Sequence, residues 1–271
     1  MMHKKSDIVI GLTTFDNTML RISVPAIGRI RQKFHLIIFN DNPTTTITRR
    51  QIRKLGYCGD LQVINSDENI GEFRARVEIV NAARNLQPNW FIFCDDDDIL
   101  IDADIPNVSD DNFAVIQNAI VLRHRVSDLL RAMENPTDVC PDDENVILLR
   151  PHLGLAGTPV RASILFELLK IQEPATNAVL RIVSGLNFVP PIDAIMWNMV
   201  NMLAREKNPN AVPIYMNKVN YIKCDLDTPH IKYNRVRKPA RNQDKYMRDI
   251  IDKCNQAFHD ILAAAPSGQD D

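Results

Sequence analysis

The first hundred residues alternate short apolar runs with stretches in which apolar residues recur every three or four positions. The short runs are rich in Ile, Val and Phe, and they predict buried strands at residues 8–12, 35–40, 61–64 and 90–94. The longer stretches predict helices at residues 20–33, 48–55 and 72–85, because their apolar side chains share one face. Strands and helices that alternate at this spacing favour βαβ units. We therefore expect an α/β fold with a mostly parallel central sheet flanked by helices.

The second half of the chain has a less regular pattern. It predicts strands at residues 114–123, 144–149 and 212–223. It predicts helices at residues 126–134, 159–171, 193–206 and 243–263, and Pro159 suits the first turn of the second of these. Residues 264–271 are polar and are expected to form a disordered tail. Because no repeat or low-complexity linker interrupts the chain, we expect one domain over residues 1–263, with residues 1–100, 101–230 and 231–263 as its parts.

Polar side chains follow the predicted strands of the first half at the points where those strands end. Thr14 follows the first strand, Asp41 the second, Asn69 the third, and four aspartates at residues 95–98 follow the fourth. The carboxyl ends of parallel strands meet at one edge of a sheet, so these groups are expected to form one rim. Four adjacent carboxylates repel one another, and a hard divalent cation that carries phosphate oxygens would neutralise them. A solvated acidic turn is the alternative interpretation.

Composition and charge restrict the class of protein. The 271 residues carry a formal net charge of −2, which excludes a strongly basic nucleic-acid binder, and 45% of them are hydrophobic, which is enough for a large core. Five separated cysteines without a Cys-x-x-Cys pair argue against a zinc site and against a disulfide framework, and they favour a reducing compartment. The sequence shows no signal-peptide core and no stretch long enough to span a bilayer, so we expect a cytoplasmic protein without a transmembrane segment.

Four segments of the first half together resemble the family 2 glycosyltransferases, whose GT-A fold binds a nucleotide sugar. Residues 13–17, Thr-Thr-Phe-Asp-Asn, stand where the family has a turn after its first strand. Residues 40–43, Asn-Asp-Asn-Pro, stand where it often has Asp-Asp-Gly-Ser. Residues 69–76 match its Asn-x-Gly-x-x-x-Ala-Arg segment, and residues 95–98 match its Asp-x-Asp-Asp. Asn42, Pro43 and Val77 depart from the family pattern.

The resemblance implies a metal-dependent, inverting transfer of a sugar from a nucleotide diphosphate sugar to an acceptor hydroxyl. In that reaction Asp41 would accept hydrogen bonds from the base or the ribose, and Arg76 would lie near the diphosphate, with an exposed helix charge as its alternative role. Asp95 would face the ribose or the metal, and Asp97 would hold a Mn²⁺ or Mg²⁺ ion that bridges the diphosphate. The remaining candidates for donor binding are Thr14, Asn69 and Asp96.

Downstream, the resemblance points to further candidates. Asp193, at the start of a predicted helix, would be the general base that takes the proton of the acceptor hydroxyl, and capping of that helix is its alternative role. His230 would complete the metal site, and the basic residues between positions 232 and 248 would close over the diphosphate. Residues 152–157, which hold two glycines, resemble a Gly-rich segment of the family and, with Arg161, would lie near the donor sugar. A plain strand-to-helix turn explains that segment equally well.

Two other functions remain open on the sequence alone. A nucleotidyltransferase can share this fold and its metal, although residues 11–14 lack the Gly-rich basic loop that such enzymes carry after their first strand. A catalytically inactive GT-A-like protein would bind a glycan or a nucleic acid, with Arg49, Arg50, Arg53 and Lys54 in contact with phosphates. For the transferase, the acceptor is a glycan, a lipid-linked sugar or, less favoured, a nucleic acid or a protein.

Overall fold

The computed structural model describes residues 7–123, 146–184, 191–225 and 243–264. In the first half the strands are β1 (Ile8–Thr14), β2 (His35–Asn40), β3 (Asp60–Asn65) and β4 (Trp90–Asp95). The helices between them are α1 (Leu20–Ile27), α2 (Arg49–Lys54) and α3 (Glu72–Ala83), and a 3-10 turn (Arg84–Leu86) follows α3. These elements confirm the predicted alternation of strands and helices.

The second half contributes shorter strands and longer helices. Its strands are β5 (Ile99–Leu100), β6 (Asn112–Arg123), β7 (Val146–Leu149), β8 (Val160–Arg161) and β9 (Val212–Asp225). Its helices are α4 (Ala162–Lys170), α5 (Gln172–Val183), α6 (Ile192–Lys207) and α7 (Gln243–Ala264). The strand predicted at residues 144–149 begins at Val146 in the described part of the chain.

All nine strands of the described residues belong to one sheet, in the order β3-β2-β1-β4-β8-β6-β9-β5, with β7 paired to β6. β1 lies between β2 and β4 and is parallel to both, and β3 is parallel to β2. The other long ladder, between β6 and β9, is also parallel, whereas the shorter pairs made by β5, β7 and β8 are antiparallel. The predicted α/β fold with a mostly parallel sheet is confirmed.

Strands β1, β2 and β4 are buried on both faces, which explains their uninterrupted apolar runs, whereas the edge strand β3 is only half-buried. Side chains alternate between the two faces along each strand. Val9 and Phe91 lie in a cluster that also holds residues of α3, α4 and α6. Ile10 and Leu36 lie in a second cluster with residues of α1 and α2. The sheet is therefore the middle layer between two layers of helices.

Helix α1 ends at Ile27, whereas the apolar spacing predicts that it continues to residue 33. Gly28 follows the last residue, and its amide donates to the carbonyl oxygen of Val24. Glycine is a poor helix former, so the helix stops there. Ile30 and Phe34 are nevertheless buried. Their spacing imitates a helical face although the backbone forms a turn.

The helix predicted at residues 159–171 is wrong at its start, because residues 160–161 form a strand of the sheet. Val160 and Arg161 pair with Phe91 and Trp90 as β8, and α4 begins only at Ala162. Helix α5 has no counterpart among the predicted elements. The helix predicted at residues 126–134 lies outside the described residues. Of the tail predicted at residues 264–271, only Ala264 is described, and it is the last residue of α7.

Two expectations about the compartment can be compared with the structure. None of the described helices combines the length and the apolar composition that a membrane span requires. The described cysteines Cys58, Cys94, Cys224 and Cys254 are all free thiols, as the spacing of the cysteines predicts.

Candidate active site

The carboxyl ends of β1, β2 and β4 meet at one edge of the sheet, as predicted. The strand registers place Thr14 beside Asn40 and Thr13 beside Asp95. A pocket of about 480 Å³ opens at this edge. Its polar side is lined by strand ends and the loop before α3, namely Thr13, Thr14, Asp16, Asp41, Asn69, Gly71, Glu72, Asp95, Asp96 and Asp97. Its apolar side includes Val179, Leu180 and Val183 of α5 and Ile192 of α6.

Asp41 fixes the loop that precedes α3. One carboxylate oxygen, Oδ1, accepts a hydrogen bond from the amide of Ile70 at 2.7 Å, and Oδ2 accepts one from the amide of Gly71 at 2.9 Å. The side-chain oxygen of the exposed Asn69 accepts from the same Gly71 amide at 3.1 Å. Burial raises the pKa of Asp41, and the two amides act in the opposite direction. The backbone amides of the loop before α3 therefore hold Asp41 and Asn69 at the pocket wall, and the two side chains in turn stabilise that loop.

The ionised forms of Asp96 and Asp97 are disfavoured by their surroundings in the free protein. The hydroxyl of Thr14 donates to Oδ2 of Asp96 at 2.5 Å. Burial nevertheless raises the pKa of Asp96 to about 7. Burial, together with the carboxylates of Asp96 and Asp95, raises the pKa of Asp97 to about 8. A cation bound here would remove this cost, because it favours the ionised form of each carboxylate.

The oxygens of Asp95 and Asp97 fit a hard divalent cation. Such ions prefer carboxylate and phosphate oxygens, and both side chains line the pocket. Asp98 already has a structural partner, since its Oδ1 accepts from the amide of Cys224 at 2.7 Å. In the described part of the chain, no three His, Cys, Asp or Glu side chains form a metal-binding group, so a cation would need further oxygens from a ligand. His230, the third predicted metal ligand, lies outside the described residues.

Asp193 lies in the first turn of α6, next to the pocket residue Ile192. Its Oδ1 accepts from the amide of Ala156 at 2.6 Å and from Nη1 of Arg76 at 3.3 Å, and its Oδ2 lies 3.3 Å from Nζ of Lys223. Burial alone would raise the pKa of Asp193, but Lys223 and Arg76 lower it to about 2. The residue that caps α6 is Pro191, and no side chain makes a capping hydrogen bond there. The structure therefore does not support the capping role for Asp193.

The segment at residues 152–157 packs against Asp193. A side chain on Gly154 would place its Cβ 2.2 Å from Oδ2 of Asp193 and 2.8 Å from Cε1 of His152. The carbonyl oxygen of Gly154 accepts from the hydroxyl of Thr158 at 2.6 Å, and Nε2 of His152 lies 2.9 Å from the carbonyl oxygen of Ala156. Glycine is required at this position because the backbone approaches the carboxylate so closely.

Arg161 lies at the opposite end of the sheet from the pocket, so its predicted place near the donor sugar is wrong. It pairs in β8 with Trp90, the first residue of β4, whereas the pocket lies at the last. Its guanidinium carbon lies 4.4 Å from the centre of the Trp90 ring, and Nη2 donates to the carbonyl oxygen of Ser109 at 3.1 Å. Arg161 therefore stabilises the packing of β8.

Arg76 is fully buried, which excludes the exposed helix charge as its role. Its Nη2 lies 2.7 Å from Oε1 of Glu72 and 2.8 Å from Oδ1 of Asp95, and its Nη1 lies 3.3 Å from Oδ1 of Asp193. One guanidinium thus contacts three carboxylates from three segments of the chain.

Residues 19–110 match the model of the family described as glycosyl transferase family 2. The chain is a family 2-like glycosyltransferase with a GT-A fold. The matched segment runs from the start of α1 past the four aspartates, so it contains most of the polar side of the pocket. The match does not favour the interpretation as a nucleotidyltransferase. A search among curated proteins gave no match.

Two solved structures similar to this glycosyltransferase hold nucleotide sugars. S. aureus TarS 1-349, in complex with UDP-GlcNAc, is 13% identical, with 94% of this chain and 71% of that one covered and a TM-score of 0.50. The mannosyltransferase PcManGT from Pyrobaculum calidifontis, in complex with GDP-Man and Mn²⁺, is 10% identical, with 97% of this chain and 76% of that one covered and a TM-score of 0.45. At such low identity the likeness to TarS shows a shared fold and not a shared substrate.

Sequence reasoning missed two residues that the glycosyltransferase places beside its candidate site. Lys223 lies near the end of β9 and pairs with Asp193. Although burial works against its charge, Asp193, Asp98 and Asp95 raise the pKa of Lys223. Tyr221 accepts a hydrogen bond from the amide of Asp95 at 3.1 Å through its hydroxyl oxygen. The rule that polar residues at strand ends form the site could have found Lys223, which ends the predicted strand at residues 212–223.

Proposed function

We propose that this glycosyltransferase moves a sugar from a nucleotide diphosphate sugar to an acceptor hydroxyl, with a divalent cation and with inversion at the anomeric carbon. One observation carries the proposal. The end of β4 presents the carboxylates of Asp95, Asp96 and Asp97 to the pocket, and Arg76 links Asp95 to the carboxylate of Asp193, which remains ionised. The carboxylates at the end of β4 suit the binding of a metal ion with a diphosphate, and Asp193 suits the role of proton acceptor.

The donor would bind along the polar side of the pocket. Asp41 would accept hydrogen bonds from the base or the ribose with the lone pairs that the loop amides leave free, and Thr14, Asn69 and Asp96 would line the same site. UDP-GlcNAc in TarS, a protein of the same fold, belongs to the class of donor proposed here.

Asp95 and Asp97 would hold Mn²⁺ or Mg²⁺, with His230 as a further proposed ligand. A bound cation supplies charge neutralisation for the diphosphate, which becomes more negative as the bond to the sugar breaks. The guanidinium of Arg76 pairs with the carboxylate of Asp95 at 2.8 Å.

Asp193 would take the proton of the acceptor hydroxyl. In one step, the acceptor oxygen forms a bond to the anomeric carbon, the bond to the diphosphate breaks, and the proton passes to Asp193. With a pKa of about 2, Asp193 is ionised at neutral pH but is a weak base. The hydroxyl becomes acidic only as its oxygen bonds to carbon, so the proton would move late in the step.

We also propose that residues 1–263 form one domain in the cytoplasm. The sheet is continuous from β3 in the first half to β5 and β9, which supports one domain. The free thiols of the described cysteines support a reducing compartment.

A donor panel tests the proposed function. The protein is incubated with Mn²⁺ and UDP, GDP and dTDP sugars in turn, and released nucleoside diphosphate is measured. We expect release with one class of donor and its loss with a chelator. The proposal fails if no donor is bound or hydrolysed and Asp97→Ala changes no binding property.

The role of Asp193 is tested with the donor that the panel selects. We expect Asp193→Asn to lower kcat by at least about 100-fold, because general bases contribute that much or more. The Kd of the nucleoside diphosphate should stay within about twofold, since Asp193 is not among the residues that line the pocket. Asp252→Asn, an exposed aspartate on α7, is the matched control. An unchanged kcat in Asp193→Asn would remove Asp193 from the mechanism.

A further inference from the structure

We infer that Arg76 is a positioning residue that holds the carboxylate of Asp193 at a fixed place relative to that of Asp95, and that it is not a ligand of the donor diphosphate. The inference rests on the proposed function, in which Asp95 belongs to the donor side and Asp193 takes the proton. The buried Arg76 would thus fix the distance between the carboxylates of Asp95 and Asp193.

Both terminal nitrogens of the Arg76 guanidinium, Nη1 and Nη2, make ion pairs. Nη2 lies between Glu72 and Asp95, at 2.7 and 2.8 Å, and Nη1 reaches Asp193 at 3.3 Å. The guanidinium carbon lies 5.6 Å from the centre of the Phe93 ring. The group is therefore held by carboxylates and by an aromatic ring.

Burial separates Arg76 from the place where a diphosphate would lie. Its side chain is 0% exposed, whereas those of Asp95 and Asp193 are 27% and 19% exposed. Glu72 and Asp95 line the pocket, and Arg76 is not among the described residues that do so. To reach a phosphate, Arg76 would have to break its ion pairs with Glu72 and Asp95.

A guanidinium suits this position better than an ammonium. Its planar fork directs hydrogen bonds to several carboxylates at once, whereas a lysine is a single point charge. Although burial alone would lower the pKa of Arg76, the carboxylates of Glu72, Asp95 and Asp193 raise it above its usual value. Arg76 therefore keeps its charge across the pH range in which the enzyme can be assayed.

Loss of this link should affect the chemical step more than the binding of the donor. A displacement of a reacting group by about 1 Å can cost about 100-fold in rate. We expect Arg76→Lys to lower kcat by about 10- to 100-fold, while the Kd of the nucleoside diphosphate stays within about twofold. The probe is UDP with Mn²⁺, or GDP if the donor panel selects a GDP sugar.

Arg74→Met is the matched control, because Arg74 lies two residues away on the same helix and is exposed. It should leave kcat and Kd unchanged. Arg76→Lys overturns the inference if its Kd for the nucleoside diphosphate rises as much as kcat falls while the Kd for the monophosphate stays constant. That result would show Arg76 to be a ligand of the diphosphate.

A cycle of stability measurements tests the link without turnover. The free energy of unfolding in urea is measured for Asp95→Asn, Asp193→Asn and the double variant, each with Arg76 and with Arg76→Met. We expect the two aspartate substitutions to be non-additive when Arg76 is present and additive when it is absent. If Arg76→Met does not fold, Arg76→Lys takes its place, and a weakened coupling is expected. Additive effects in the presence of Arg76 overturn the inference.

The two experiments separate the inference from the proposed function. If the wild-type protein turns over no donor but the coupling between Asp95 and Asp193 depends on Arg76, the proposed function fails and the positioning role stands. If turnover is present and the coupling is absent, the inference about Arg76 fails alone.

Discussion

Two aspartates of the candidate active site, Asp97 and Asp193, have opposite electrostatic surroundings. Burial and the neighbouring Asp96 and Asp95 raise the pKa of Asp97 to about 8. Burial would do the same to Asp193, but Lys223 and Arg76 lower its pKa to about 2. Ionisation of the Asp97 carboxyl on the donor side of the pocket is thus disfavoured in the free protein. The proposed base is already paired with two cations.

This difference indicates how each side of the site should respond to change. The donor side should gain stability from a bound cation, because its carboxylates repel one another in the free protein. The stability of the region around Asp193 should not change when metal is added. It should change when the residues that contact Asp193 are substituted.

The largest effect is expected from Asp97→Asn. In the wild-type protein, the Mn²⁺–UDP complex at about 100 times its Kd should raise the free energy of unfolding by about 2.7 kcal/mol, because it binds only the folded state. Asp97→Asn should lose most of this gain, and kcat should fall by at least about 100-fold, since in the proposed reaction a bound cation would stabilise the leaving group. Thermal unfolding and released nucleoside diphosphate measure the two effects. Asp110→Asn, whose side chain is fully exposed, is the control. Equal stabilisation of both variants would contradict a metal site at Asp97.

Gly154→Ala should disturb the Asp193 side and spare the donor side. The new Cβ would lie 2.2 Å from Oδ2 of Asp193, so the carboxylate must move. We expect kcat to fall by about 10- to 100-fold with little change in the KM of the donor. Leu153→Ala, a neighbour that is 58% exposed, should have no effect. Steady-state kinetics decide the matter, and a rise in the donor KM without a loss of kcat would place Gly154 on the donor side instead.

The pairing of Asp193 should also appear in the pH dependence of stability. Its pKa is lowered on folding from the usual 3.8 to about 2, so its ionised form stabilises the folded state. The contribution, about 2 kcal/mol, should be present above about pH 4 and disappear as the pH falls from about 4 to about 2. Urea unfolding of the wild-type protein and of Asp193→Asn gives the difference at each pH. A difference that stays constant down to about pH 2 would show that Lys223 and Arg76 do not stabilise the carboxylate.

The smallest effect is expected from Asn69→Ala. Its side-chain oxygen accepts from the amide of Gly71, which Asp41 also holds. Because Asp41 remains, we expect the donor KM to rise by only about two- to threefold, equivalent to less than about 1 kcal/mol. Asn210→Ala, an exposed turn residue, is the control. A loss of about 100-fold would mean that Asn69 itself contacts the donor in a way that Asp41 does not replace.

The polar residues at the strand ends show how much of the candidate site the apolar pattern of the strands could predict. Strands β1, β2 and β4 are buried on both faces, so the apolar run of each is unbroken and its end is marked by the first polar residue. That rule located Asp41 and Asp95 correctly, because parallel strands bring their carboxyl ends together. The same reasoning failed at residues 159–161, where pairing with β4 overrode the helical pattern.

Helix α5 was not predicted, although Ala175, Val179, Ile182 and Val183 recur at helical spacing and the helix lines the apolar side of the pocket. Pro174 and polar residues occupy its first turns, and among its residues only Ala175, Thr176 and Val179 are buried. Ile182 and Val183 also pack against the core, so the apolar pattern was present in the sequence and was overlooked.

The sequence by itself determined the alternation of strands and helices, the rim of polar residues and the family, because these depend on local periodicity and on short motifs. Only the tertiary structure decided the charge state around Asp193. Arg76 is 117 residues away in the chain and Lys223 is 30 residues away, yet both lie within 3.3 Å of its carboxylate. The pKa of a carboxylate depends on burial and on charges within a few ångströms, and sequence distance carries no information about either.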